Sequence, residues 1–106
     1  MIPVVFQDFL IQVRSHTETR VIAWREGEEL SFFCRQNGIG LHISKHFDPD
    51  RDVGWIAFRV IGKEGRTTPF SVSDDEKDDY EFMDALFQAV VANVNNVEQD
   101  MIDFFK

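Results

Sequence analysis

Apolar residues in the last third of the chain recur at alternating spacings of four and three, the period of one face of an α-helix. Ser73 and Glu76 precede this stripe at the spacing of a capping box, in which a hydroxyl and a carboxylate bond the first free amides of a helix. The sequence therefore predicts an amphipathic C-terminal helix beginning near Asp74, with one face packed on another element. The stripe comprises Met83, Phe87, Val90, Val94, Val97, Met101 and Phe104.

This helix would be too long for the sheet it has to cover. A continuous helix from Asp74 to Phe105 would measure about 48 Å at ~1.5 Å per residue, whereas strands of ~6 residues reach only ~20 Å. Two alternatives follow. Either the helix breaks within residues 93–96, where three of the four residues are asparagines of poor helix propensity, or its apolar end projects and needs a partner.

Between Arg20 and Val72 the pattern changes to short apolar runs separated by turn residues, which indicates strands. Asn37-Gly38 is the strongest hairpin signal, because both residues tolerate the positive φ of a type I′ turn. Consecutive strands with short turns predict an antiparallel meander. The predicted strands are residues 20–25, 30–35, 39–46 and 54–61, with a short fifth strand around 70–72.

The first residues of the chain favour a helix. Apolar side chains recur at helical spacing from Ile2 to His16, and Pro3 suits the first helical turn, where its missing N–H costs nothing. A strand through Phe9, Ile11 and Val13 is the competing interpretation.

Together these segments predict an α+β fold: an N-terminal helix, a four- to five-stranded antiparallel meander sheet, and a long, possibly broken C-terminal helix packed on one face. At 106 residues, the chain has the length of a single domain spanning residues 1–106. Strand parity leaves two core positions open. The predicted core comprises Phe32 or Phe33, Ile43, Trp55 or Ile56, Phe58, Leu86, Phe87 and Val90.

The net charge of −8 arises entirely from residues 67–106. Residues 1–66 carry nine Lys and Arg against nine acids, whereas residues 67–106 carry two lysines against ten acids. An acidic balance argues against nucleic acid and against an anionic membrane as partners, because both require a basic footprint. We therefore expect no nucleic acid and no membrane among the partners.

Seven of the ten acids of the last segment lie between residues 74 and 84, interleaved with aromatic side chains. One interpretation is a solvated helix face whose carboxylates complement the positive end of the helix dipole. The other is a docking surface for a basic protein, since aromatic residues anchor interfaces and charge steers the encounter. The predicted partner-binding residues are Asp74, Asp75, Glu76, Asp78, Asp79, Tyr80, Glu81, Phe82 and Asp84.

No motif in the chain predicts catalysis or a metal. The single cysteine, Cys34, excludes an intrachain disulfide. The acidic loop at 48–52 lacks the glycine and glutamate of a calcium loop. His42 and His46 on a strand would lie ~13 Å apart, too far to share a metal ion. We expect no catalytic residue, no metal and no cofactor, and a protein that is not an enzyme.

The leading functional expectation is a small acidic protein-binding module that neutralises or escorts a basic partner, such as a toxin, a nuclease or a secreted effector. Immunity proteins, inhibitors and chaperones act in this way. One alternative is a structural or regulatory homodimer formed through the C-terminal helix. The other is a small-ligand-binding domain or enzyme with a pocket near Trp24, Trp55 and His42. Neither a signal peptide nor a membrane-spanning stretch is apparent, so the expected location is the cytoplasm.

Overall fold

Five strands pair in chain order to form an antiparallel meander, and three helices complete the α+β fold. This computed structural model describes residues 1–106. The N-terminal helix and the meander are both as predicted. The elements are α1 (Val4–Glu18), β1 (Arg25–Glu26), β2 (Ser31–Gln36), β3 (Ile39–Asp48), β4 (Val53–Ile61), β5 (Thr67–Ser73), α2 (Lys77–Asn95) and α3 (Val97–Phe104).

The β2–β3 hairpin turns where the sequence predicts it. Asn37 and Gly38 have φ values of 54° and 78°, as a type I′ turn requires, and Gln36 pairs with Ile39 across the turn. The predicted strand over residues 20–25 is wrong for all but its last residue. Residues 20–24 form no strand: only Ile22 and Trp24 are buried, and the backbone amide of Trp24 donates to the Asn93 side chain.

The structure resolves both open core positions by strand parity. Phe32 and Ile56 point toward the helices and are buried, whereas Phe33 and Trp55 point to the opposite face of the sheet. The ring of Phe32 packs edge-on against Phe87 of α2, with 5.6 Å between ring centroids. The remaining predicted core residues, Ile43, Phe58, Leu86, Phe87 and Val90, are all buried.

The C-terminal helix is broken, as the first alternative predicted. Its first piece, α2, begins at Lys77, three residues later than predicted, because the capping box forms only in part. The Glu76 carboxylate accepts from the Ser73 amide at 2.9 Å, but the Ser73 hydroxyl turns to Asp75. The break lies at Asn96, whose φ of 51° and ψ of 43° are left-handed, a conformation that asparagine tolerates.

The side chain of Asn93 joins three distant segments of the chain. Its carboxamide oxygen accepts from the Trp24 amide at 2.9 Å, and its nitrogen donates to the carbonyls of Thr17 and Ile22 at 2.9 and 2.8 Å. The Trp24 indole in turn donates to the Thr17 hydroxyl at 3.0 Å. Arg20 donates to the Asn93 carbonyl at 2.8 Å, which places a cation at the negative end of α2. These bonds fix the end of α1, the approach to β1 and the end of α2.

We predict that Asn93→Ala lowers the free energy of unfolding by about 2–4 kcal/mol. The substitution leaves the Trp24 amide and the Ile22 carbonyl without a partner, and each such group costs about 1–3 kcal/mol. The Thr17 carbonyl keeps its bond from the Arg20 amide. Urea denaturation followed by circular dichroism measures the loss. Asn95→Ala is the control, since Asn95 is exposed and ends the same helix. Equal stabilities of the two variants would contradict the role assigned to Asn93.

Candidate protein-binding surfaces

Four of the acids predicted to bind a partner take part in intramolecular bonds where α2 begins. Asp74 accepts from the Gly54 amide of β4 at 2.9 Å, and Asp79 accepts from the Ile2 amide at 2.9 Å. Asp75 and Glu76 bond to Ser73, as described above. The carboxylates of Asp74, Glu76 and Asp79 therefore hold β4, the turn before α2 and the start of α1 together.

Tyr80 and Asp84 are half-buried on the side of α2 that meets the sheet. The Asp84 carboxylate lies 2.8 Å from the Lys45 ammonium of β3, which also sits over the Phe87 ring at 5.6 Å from its centroid. The hydrogen bond to Asp84 raises the pKa of Lys45, with partial burial opposing the shift. Tyr80 is half-buried against the core. Neither residue is free to act as an exposed anchor.

The remaining three predicted residues lie on the outer part of α2. Asp78 and Glu81 are exposed and make no ion pair. Phe82, one turn after Asp78, is half-buried and lines a groove of about 230 Å³ between α1 and α2. The nine predicted residues therefore differ in their surroundings: four are bonded where α2 begins, two lie half-buried against the sheet, and three lie on the outer part of α2. The groove is lined by Ile2, Gln7, Leu10, Ile11, Asp79 and Phe82.

Helix α1 exposes apolar side chains that the sequence reasoning missed, and one of them, Ile11, lines this groove. Val4 and Ile11 are 80% and 57% exposed, and with Gln7 they occupy one face of α1 at helical spacing. The signal was present in the sequence, because both residues fall outside the apolar stripe through Phe6 and Leu10 that meets the core. An apolar residue on the solvent face of an amphipathic helix marks exposed apolar surface.

A second surface is the sheet face that no helix covers, hereafter the outer sheet face. The register aligns one outward residue from each strand in a single row across the sheet. Apart from Asp48 at the end of β3, no outward strand position holds an acid. The row consists of Arg25, Phe33, His42, Arg59 and Pro69.

The outer sheet face is cationic and partly aromatic. Arg25, Arg35 and Arg59 have no carboxylate within 4.0 Å, and Phe33 between them is 42% exposed. A shallow cavity of about 280 Å³ opens here, lined in part by Phe33, Arg35, His42, Arg59 and Ile61. Guanidinium groups without a partner beside an exposed ring form a site for an acidic and apolar ligand.

The three residues expected around one small-ligand pocket do not share a pocket. Trp24 is buried on the helix side, where it bonds to Thr17 and Asn93. Trp55 lies on the outer sheet face and stacks on His46 at 5.1 Å. His42 lies on the same face and lines the shallow cavity there, which Trp24 does not line. The expected pocket near Trp24, Trp55 and His42 is therefore wrong, because the sheet separates its members.

Cys34 is buried beneath α1, where it lines a cavity of about 180 Å³ between that helix and the β2–β3 hairpin. Burial raises the pKa of its thiol to about 11, with a bond to the Leu41 backbone opposing the shift. The thiol is therefore protonated at neutral pH. No three His, Cys, Asp or Glu side chains are grouped so that they could hold a metal ion.

No family model, no curated protein and no solved structure matches this chain. None of its helices has both the length and the apolar character that crossing a membrane would require.

We predict that the pKa of His42 lies below its ordinary value of 6.5 and rises toward it in Arg59→Gln. Burial is the largest cause of the lowered pKa and the Arg59 charge the next, so the substitution removes only part of the shift. Titration of the imidazole protons by NMR between about pH 5 and 8 measures both values. Arg66→Gln, in an exposed turn, is the control. A His42 pKa that stays unchanged in Arg59→Gln would contradict the prediction.

The lowered pKa also fixes the sign of a pH effect on stability. The unfolded chain takes up the His42 proton at a higher pH than the folded protein, so this group opposes folding as the pH falls below about 6.5. Replacement of His42 by Gln should flatten the stability profile in that range, measured by urea denaturation at several pH values. A profile of unchanged slope would show that His42 does not contribute.

Proposed function

We propose that this chain is a protein-binding module that takes a basic, amphipathic segment of a partner into the groove between α1 and α2. The observation that carries the proposal is the position of Asp78 and Glu81. Both carboxylates are exposed and unpaired on the helix whose Phe82 lines an open apolar groove. On the other side of the groove, α1 contributes the exposed Ile11, and Val4 lies on the same face of that helix.

This arrangement has the anatomy of an interface, with apolar side chains at the centre and charge at the rim. Exposed carboxylates at the rim attract a basic segment and raise its association rate, while the apolar contacts slow its dissociation. The stretch of α1 from Val4 to Ile11 spans about 10 Å at ~1.5 Å per residue. That length accommodates about two turns of a helix docked by its apolar face, a common mode of peptide recognition.

The partner class that fits is a basic protein, and we propose that the module neutralises or escorts it. A toxin, a nuclease or a secreted effector bound by an immunity-like, inhibitor-like or chaperone-like module would meet this description. The proposal places the module in the cytoplasm, where a single unpaired and buried cysteine suits reducing conditions. No chemical step is assigned to the chain, because the groove brings together no nucleophile and base.

We predict that Asp78→Lys with Glu81→Lys weakens binding of the purified basic partner at least tenfold at low ionic strength. Reversing two rim charges replaces attraction by repulsion without touching the bonds of Asp74, Glu76 or Asp79. Isothermal titration calorimetry gives the dissociation constants, and circular dichroism checks that the melting temperature is retained. Ile11→Asp should weaken binding at high ionic strength as well, because it removes apolar contact.

The matched control is Glu28→Lys with Glu64→Lys, which changes the net charge by the same amount at two exposed loop positions. Its affinity should fall much less, because attraction between charges weakens with distance and is screened beyond about 8 Å. An equal loss in both double variants would mean that net charge alone drives binding. That result would refute the groove as the docking site.

A further inference from the structure

Helix α3 carries apolar side chains that nothing in its own chain covers. It has no buried residue, and Phe104 and Phe105 are 79% and 87% exposed. Met101 and Ile102 are also largely exposed. Isolated exposed apolar residues are ordinary, but four of them within residues 101–105 form a patch of the kind that marks an interaction site.

Acidic groups accompany this apolar patch. Asp100 lies one turn before Phe104, makes no ion pair, and lines one cleft with Met101, Phe104 and Phe105. Asp103, in contrast, is paired with Lys106 at 3.2 Å. Of the two carboxylates of α3 that make no ion pair, Glu98 and Asp100, the second therefore sits beside the aromatic rings.

The outer sheet face offers the complementary groups. Its arginines are unpaired, Phe33 is exposed, and the cavity beside Gly40 is open between Arg35 and Arg59. A carboxylate next to an aromatic ring on α3 thus matches a guanidinium next to an aromatic ring on the sheet. Arginine forms bidentate bonds with carboxylates, and aromatic pairs add to the area that they bury.

We propose that α3 of one copy of this chain docks on the outer sheet face of a second copy. In this complex Asp100 pairs with Arg59 and Arg35, and Phe104 and Phe105 pack on Phe33. An eight-residue helix is about 12 Å long. The row across five strands measures about 19 Å at ~4.8 Å per strand. The helix therefore fits on the face.

A second copy is the occupant because α3 cannot reach the outer sheet face of its own chain. It follows α2 directly at Asn96, and α2 packs on the opposite side of the sheet. The sheet itself lies between α3 and the outer sheet face of the same chain. Charge complementarity further favours docking between two copies, since the outer sheet face carries unpaired arginines and α3 carries the unpaired carboxylate of Asp100. The docking uses neither Asp78 nor the groove between α1 and α2, so it is independent of the proposed function.

Sedimentation velocity over a range of protein concentrations tests the proposal with charge-swapped variants. The wild-type chain should self-associate, whereas Arg59→Glu and Asp100→Arg should each raise the dissociation constant at least tenfold. An equimolar mixture of these two variants should associate again, because in contacts between unlike variants the residues at positions 59 and 100 carry opposite charges. The double variant carrying both substitutions should likewise self-associate.

Matched controls separate this interface from general charge effects. Arg66→Glu and Asp50→Arg make the same charge changes at exposed turn positions and should associate like the wild type. A chain ending at Asn96 should be monomeric with nearly unchanged melting temperature, since α3 buries nothing. A wild-type chain that is monomeric at every concentration would overturn the proposal. Association that persists in both single variants, or a mixture that stays monomeric, would also overturn it.

Discussion

The buried carboxamide of Asn93 is the interaction on which the arrangement of the helices depends. It bonds to the end of α1 and to the segment leading into β1. Helices α1 and α2 therefore lie side by side, with both starts at one end and both ends at the other. At the other end of these two helices, where both begin, the Asp79 carboxylate accepts a hydrogen bond from the Ile2 amide. With both ends held, the groove between the helices has a defined shape. Three residues past Asn93 the backbone turns left-handed, and α3 leaves the core.

The second organising constraint is that the helices cover only one face of the sheet. Successive side chains of a strand point to opposite faces of the sheet, so the apolar side chains face the helices. The arginines, Phe33 and the imidazoles of β3 lie on the other face. The net charge of −8 therefore conceals two surfaces of opposite character. Helix α2 carries exposed carboxylates, with Asp78 one turn before Phe82 of the groove, whereas the outer sheet face has three arginines without an acidic partner. Both proposed interactions arise from this division.

Much of the fold was predictable from local patterns. Asn37-Gly38 specified its turn, and the cluster of asparagines located the helix break to within a few residues. The candidate site was less predictable. The sequence shows acids next to aromatics between residues 74 and 84, but it does not show that Asp84 pairs with Lys45 or that Asp79 bonds to Ile2. Those partners are 39 and 77 residues away along the chain. Several acids of the cluster therefore take part in intramolecular bonds, whereas Asp78 and Glu81 are exposed and unpaired on the helix whose Asp79 and Phe82 line the groove.

The sequence by itself determined the element types, the hairpin turn, the apolar helix faces and the uneven distribution of charge, because these depend on residues within a few positions of one another. Only the tertiary structure decided which member of each pair, Phe32 or Phe33 and Trp55 or Ile56, lies in the core. It also decided which carboxylates remain free, and that unpaired arginines from separate strands share one face. These outcomes depend on strand register and helix placement, which are set by contacts between residues far apart in the chain.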